Sequence, residues 1–328
     1  MRRDRPPNAR LTVGSPRTTA GAAAPACIGN FGPGLDVLGV AVAGAVDRVI
    51  ATRSGSSGVV ISDPGHPDLP ADPGRNTAGI AAREVLKRAG ADVGVSIAVT
   101  KGLPLSGGQG GSAASAVAAA VATNRLLGDP LCVAALMESA VEAETVVSGR
   151  HADNVAPQLL GGVVLVRSLD PLDVMQLASP AGLRIVLAHP DQRLRTADAR
   201  AALPKFVARS TVVRQLGNVA AIVAALESDD LAMLGRAMDD QIAEPARAPL
   251  LRGFDEAKAA ALASGALGGS ISGAGPTSFW LAGDDVTARR VSDAVRASYA
   301  ALGIDCNTRV SHIAQAGALD LPGDVQSA

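Results

Sequence analysis

The sequence predicts an α+β protein built as two domains that meet near residue 170. Three observations carry this expectation. The chain has 328 residues, 48% of them hydrophobic, which is enough for two cores. The stretch from Val93 to Asn124 reads as strand, tight glycine loop and helix. The texture then changes across residues 168–182. Upstream the chain is β-rich with two or three helices; downstream, helices dominate before a strand–turn–strand–helix–strand run. The layout that follows is a disordered N-terminal extension (1–17), a first domain (18–170), a second domain (171–317) and a tail (318–328).

Residues 17–53 show the apolar alternation of strands, broken by Gly29-Asn30-Phe31-Gly32-Pro33-Gly34. Residues 54–75, rich in Gly, Ser, Pro and Asp, read as a loop or short hairpin. Thr77 to Ala89 has helical spacing, with Ile80, Val85 and Leu86 on one side. Val93, Val95, Ile97 and Val99 then alternate into a strand that ends at a glycine cluster. An Ala/Val run follows with no Gly or Pro until Gly128, so it reads as a helix. Pro130 can open the next helix, which carries Leu136, Met137, Val141, Glu142 and Glu144. Gly161 to Val166 and Leu183 to Ala188 read as short strands. Helices are expected near 209–226, 229–239 and 250–264. A strand, a second glycine turn, a strand, a helix (285–302) and a last strand (308–314) complete the pattern.

Composition excludes several function classes. Net charge is −1 and aromatic residues are 2%, with Trp280 the single tryptophan. Neither a cationic nor a base-stacking surface for nucleic acid is in prospect. No apolar run reaches the roughly 20 residues needed to cross a bilayer. The first residues lack the apolar stretch of a signal peptide. Cys27, Cys132 and Cys306 lie far apart without metal-ligand spacing, which suggests free thiols in a reducing cytoplasm.

The chemistry concentrates in a few segments. Gly107, Gly108, Gly110 and Gly111 let a backbone approach a ligand closely, and Ser112 stands where a helix N-cap would be. A helix start of this kind suits phosphate, although many glycine turns bind nothing. The spacing matches neither common nucleotide fingerprint. A P-loop needs Lys then Ser or Thr after its last glycine, and Ser112-Ala113 follow here. The dinucleotide pattern fails at Ala113. Gly273-Ala274-Gly275-Pro276-Thr277 reads as a hairpin turn or as a second surface for phosphate or the first loop. His151-Ala152-Asp153-Asn154 follows a helix bearing Glu142 and Glu144. It reads as a helix-closing turn or as substrate and metal contacts, since Mg²⁺ takes one or two carboxylates beside phosphate oxygens. Arg200, four residues after Thr196, and Arg247 are candidates to grip a carboxylate.

In this order the segments resemble the GHMP kinase superfamily, and its homoserine kinase branch most. Asn30-Phe31-Gly32-Pro33-Gly34-Leu35-Asp36 is similar to the first motif of that family. Pro104 to Ser115 is similar to the second, and Ser272 to Thr277 to the third. His151-Ala152-Asp153-Asn154-Val155-Ala156-Pro157 and Glu244-Pro245-Ala246-Arg247-Ala248-Pro249-Leu250 resemble the branch. The resemblance spans about residues 18–316.

It implies a first domain like domain 2 of ribosomal protein S5 and a ferredoxin-like second domain. It also implies phosphorylation of L-homoserine by ATP with Mg²⁺. The segment Pro104-Leu105-Ser106-Gly107-Gly108-Gln109-Gly110-Gly111-Ser112-Ala113-Ala114 would cradle ATP, and Ser112 with Glu144 would hold the metal. Asn30, Asp36, His151, Asn154, Thr196, Arg200, Arg247 and Gly275 would hold homoserine, the arginines taking its carboxylate and Asp36 its ammonium. Asn154 and Arg200 would serve catalysis, with no dedicated side-chain base. Family members are often dimers, so a homodimer belongs to the expectation. A kinase of the same superfamily acting on another small hydroxy acid such as mevalonate, or a non-catalytic metabolite-binding protein on the same fold, are the alternatives. Three positions depart from the family pattern. Gln109 stands for the usual Leu, Gly111-Ser112 for a Ser pair, and Cys27-Ile28-Gly29-Asn30 for Ser-Ala-Asn.

Overall fold

The computed structural model describes residues 15–321. The expected N-terminal extension, up to residue 14, and the tail from residue 322 lie outside the described residues.

The first sheet is built around one long strand. β1 (Thr19–Gly29) turns through the Asn30–Asp36 segment into β2 (Leu38–Ser54), and the two pair antiparallel. β2 is long enough to serve two further neighbours, β4 (Gly94–Thr100) and β5 (Val163–Leu169), and β5 in turn pairs with β6 (Leu172–Leu177). The order is β3-β4-β2-β5-β6 with β1 on β2. β3 (Gly58–Asp63) lies parallel to β4, and α1 (Thr77–Ala89) makes the crossover. The segment expected to be a loop or hairpin therefore holds a strand whose partner lies more than thirty residues on. β6 carries the first sheet past residue 170, so the change of texture does not coincide with the edge of that sheet.

α2 (Gly111–Leu126) is buried on nearly every side, against α1, β1 and α3 (Val133–Thr145). Its alanines make this possible. Small side chains let a helix lie close to alanine-rich β1 without voids, and a helix apolar all round belongs in a core. α3 begins at Val133 with Cys132 as its cap, three residues after the expected start at Pro130.

The second sheet runs β10 (Cys306–Ser311), β7 (Arg184–Pro190), β9 (Ser278–Ala282), β8 (Gly268–Ile271). Its pleat divides two cores. Ile185, Leu187, Phe279 and Leu281 join the first core, where Phe31 stacks on Phe279 with centroids 5.5 Å apart. Val186, Trp280 and Ala282 face α9 (Phe254–Ala263) and α10 (Asp285–Ala301). α4 (Val155–Leu160), α5 (Thr196–Ala201), α6 (Arg209–Ser228), α7 (Leu231–Ala237) and the five-residue α8 (Ala243–Arg247) fill the remainder. Among the described residues no helix is long and apolar enough to cross a membrane.

Two expectations about the chain ends change. Arg17 N–H donates to Leu126 O at 2.9 Å. Residues 318–321 are docked, not loose: Ala318 is buried and donates to Gln158 O at 2.8 Å, while the Arg125 guanidinium donates to the carbonyls of Ala318 and Leu319.

Candidate active site

A cleft of about 1100 Å³ opens at the seam between the two sheets. The glycine loop forms one wall. Gly108 and Gly110 take φ of 71° and 68°, left-handed values that favour glycine. Five consecutive loop carbonyls are held from behind. Thr277 Oγ1 donates to Gly107 O, and Ser272 Oγ to Gly108 O at 2.6 Å. Cys27 N–H donates to Gln109 O at 3.2 Å, and Gln158 Nε2 to Gly110 O at 2.9 Å. Lys101 Nζ donates to Gly111 O at 2.8 Å, and itself pairs with buried Asp47. Among the described residues no protein acceptor takes the amides of Gly107 to Ser112. With its carbonyls tied back, the loop presents N–H groups at the positive end of α2, a geometry for phosphate.

Ser112 is not the N-cap. Gly110 is, and Ser112 lies in the first turn with its hydroxyl donating to Glu144 Oε2 at 3.0 Å. Ser148 Oγ donates to the same oxygen at 3.2 Å. The other oxygen, Oε1, is buried and has no partner among the described residues. Burial pushes the Glu144 carboxyl above its usual range. A buried anion with one unused oxygen beside a phosphate loop fits a divalent cation. Glu142, the other candidate, turns outward toward Arg150 at 3.7 Å.

The far wall is a network. His151 Nδ1 donates to Asp153 Oδ1 at 2.7 Å, and Asn30 N–H donates to Asp153 Oδ2 at 2.9 Å. Asn30 Oδ1 accepts the Asp36 N–H at 3.2 Å, and its Nδ2 donates to Gly273 O at 3.1 Å. Asn154 Oδ1 accepts the Cys27 thiol at 3.2 Å and lies over Gly29, where any Cβ would collide with it. The Asn154 oxygen is thus turned into the protein, and its NH₂ is the group left for a ligand. Burial, with the charges of Asp153 and Glu144, pushes the Cys27 thiol well up, so it stays a neutral donor.

α5 is helical as the Thr196/Arg200 spacing required, and both residues line the cleft. Arg200 is not free, however. It grips Asp36 with two donors at 3.0 and 3.3 Å, so the expected carboxylate and ammonium ligands face each other. Arg247 is placed by α8, whose first amides are capped by Asp240 at 2.9–3.1 Å. Its Nε donates to Ala199 O and its Nη1 to Gly273 O at 2.7 Å. Ala113, Ala114 and Gly275 do not line the cleft. The two alanines point into the first core, and Gly275 packs against Gly108.

Sequence reasoning missed Ser148, Cys27, Gln158 and the Asp47–Lys101 pair. Ser148 had a signal, standing four residues after Glu144 and three before His151. The others meet their partners only through the fold.

Two family models match the chain, GHMP kinases N terminal domain at residues 76–162 and GHMP kinases C terminal at 222–301. A homoserine kinase of Chlorobium phaeobacteroides is 42% identical over 294 residues, 85% of this chain and 91% of the relative. One of Arabidopsis thaliana is 45% identical over 263 residues, 77% of this chain and 71% of the relative. The crystal structure of homoserine kinase from Cytophaga hutchinsonii is similar at 43% identity and a TM-score of 0.89, covering 94% of this chain and 99% of that one. A mevalonate kinase of L. major, at 18% identity and a TM-score of 0.69, shares the fold. With both halves of the family pattern matched in order, and relatives aligned along most of its length, the chain belongs to the GHMP kinases, in their homoserine kinase family.

Proposed function

We propose that this chain transfers the γ-phosphoryl group of ATP to the side-chain hydroxyl of L-homoserine, giving O-phospho-L-homoserine in threonine biosynthesis. One observation carries the reading. A loop with five carbonyls tied back and its amides forward faces, across one cleft, a wall of Asp36, Asp153, Arg200 and Arg247. The first suits a polyphosphate and the second a zwitterionic amino acid. The carboxylates of Asp36 and Asp153 favour a substrate with an ammonium group over mevalonate, which has none.

The loop amides and the start of α2 stabilise charge on the phosphoryl oxygens. Ser112 and Glu144 would hold Mg²⁺, which would supply further charge neutralisation there. Arg247 keeps one nitrogen, Nη2, for the substrate carboxylate. Asn154 offers its NH₂ at the acceptor end and is no base. Asp153 has both oxygens committed, to His151 and to the Asn30 amide, so it too is a poor base. The acceptor oxygen bonds to phosphorus as the bond to ADP breaks, and the hydroxyl proton leaves with the phosphoryl oxygens. Rate then comes from positioning and charge.

The three cysteines are unpaired, which supports a cytoplasmic setting, and a homodimer is the assembly proposed by family habit. An ADP-release assay with homoserine, mevalonate and threonine side by side tests the reading. Turnover confined to homoserine is expected; turnover of mevalonate alone would refute it.

A further inference from the structure

A buried chain of hydrogen bonds links the two walls of the cleft. From Glu144 Oε2 it passes to Ser148 Oγ (3.2 Å), to His151 Nε2 (2.9 Å), and from His151 Nδ1 to Asp153 Oδ1 (2.7 Å). Asp153 Oδ2 then takes the Asn30 N–H, and Asn30 Oδ1 takes the Asp36 N–H. Glu144, Ser148, His151, Asp153 and Asn30 are all buried. Cys27 and the Ser272–Gly273 turn also join the two walls, but this chain is the one that starts at the Glu144 carboxylate.

Ser148 is the one place in this chain with a choice. Its hydroxyl carries a single proton, and that proton has two side-chain acceptors, Glu144 Oε2 and His151 Nε2. The Glu144 carbonyl, at 3.3 Å, is a weaker third. His151 Nδ1 faces a carboxylate and so carries a proton. In one arrangement Nε2 is protonated too and donates to Ser148, which donates to Glu144. In the other Nε2 is bare and takes the Ser148 proton, and Glu144 Oε2 keeps only Ser112. The charges facing His151 are Asp153 from its own loop, Glu144 from α3, Arg200 from α5 and Asp36 from the β1–β2 turn. Of these, Glu144 is the one whose charge a ligand of the phosphate wall would change.

We propose that Ser148 is a positioning residue that couples the two walls, so that a divalent cation with nucleotide at Glu144 tightens the hold on an ammonium group beside Asp36. With Glu144 engaged by the cation, its Oε2 would be a weaker acceptor for Ser148. His151 would give up its Nε2 proton to solvent, the bare Nε2 would accept the Ser148 hydroxyl, and the wall beside Asp36 and Asp153 would lose one positive charge. A group with two discrete arrangements, biased from both ends, is the physical requirement for such coupling. The direction is reciprocal: the ammonium ligand tightens the metal nucleotide by the same factor.

The proposal rests on the reading of the cleft given above. Calorimetric titration of L-homoserine into the full chain tests it, in the absence of nucleotide, with ADP and EDTA, and with ADP and Mg²⁺. In the wild type, Mg²⁺ with ADP is expected to lower the homoserine Kd by about fivefold or more. ADP with EDTA should not. In Ser148→Ala the ratio should fall to about one, and Ser148→Thr, which keeps the hydroxyl, should restore it. Repeating the Mg²⁺–ADP titration without homoserine, in buffers of different ionisation heat, should show extra proton release in the wild type that Ser148→Ala lacks. A Ser148→Ala protein that melts like the wild type yet keeps both the ratio and the proton release overturns the coupling. Homoserine giving no heat in any arm, with proton release still dependent on Ser148, overturns the substrate reading and leaves the coupling standing. Absence of both overturns the coupling.

Discussion

Gln109 Nε2 donates to Thr277 Oγ1 at 3.4 Å, across the seam between the two sheets. Thr277 in turn gives its proton to Gly107 O and takes the His189 Nδ1–H at 3.0 Å. The glutamine that departs from the family pattern is therefore packed in a polar corner made by the third motif. A bond at 3.4 Å is near the limit and adds little. Gln109→Leu should change the KM for ATP by less than about threefold, whereas Thr277→Val strips the buried Gly107 carbonyl of its donor. That loss costs about 1–3 kcal/mol, so KM for ATP should rise about fivefold or more. Steady-state kinetics on the two variants decide it; the opposite ranking would show that Gln109 is the anchor.

Glu144 sets activity against stability. Its carboxyl is raised by burial, so the folded chain holds that proton more firmly than the unfolded one does. Stability from this group is greatest below the ordinary value of 4.5 and is lost as pH rises through the raised folded value. At neutral pH the ionised Glu144 is a cost. Glu144→Gln should melt no lower than the wild type at pH 7.5 without metal, while turnover falls by about 100-fold or more. A melting point several degrees below the wild type would contradict the sign.

His151 shifts stability over a different window. Burial alone would lower its pKa, but the hydrogen bond and charge of Asp153, with Glu144 beyond, outweigh it and raise it. A raised basic group stabilises fully below the ordinary 6.5 and loses that contribution as pH climbs through the folded value. The nucleotide-free protein should therefore lose melting temperature from pH 6.5 upward, and His151→Gln should flatten the slope. Thermal melts across pH 6–9 provide the measurement.

Cys27 orients Asn154, so its effect belongs in turnover. Cys27→Ala removes the donor that turns the Asn154 oxygen inward, and kcat should drop by roughly fivefold, about 1 kcal/mol, with KM for ATP unchanged. Cys27→Ser keeps a donor and should hold most of the rate. Equal losses in both variants would point to packing around Gly110 as the cause.

Much of this was legible in the chain because it is local. Thr77–Ala89 is a helix over the residues its spacing indicates, and the strand–loop–helix at Gly94–Leu126 follows from alternation giving way to an alanine run. What was not legible depends on partners far away. β3 looked like a loop because its polar, glycine-rich surroundings hide an edge strand that needs β4. The Ser112 hydroxyl, an N-cap in prospect, is drawn instead to Glu144, 32 residues on. Arg200 and Asp36 were each assigned to the substrate, and sequence spacing could not reveal that 164 residues apart they meet each other.

The backing of the glycine loop has a genetic consequence. Its five tied carbonyls draw donors from β1, from the segment before α2, from α4, and from the turn after β8. No fragment of the gene shorter than the stretch from Cys27 to Thr277 encodes that set. A chain cut between the sheets would yield two halves, each carrying part of the scaffold and neither carrying the whole of the proposed nucleotide site. Binding of ATP would reappear only on reassembly, which makes nucleotide affinity a reporter of whether the two ends have met.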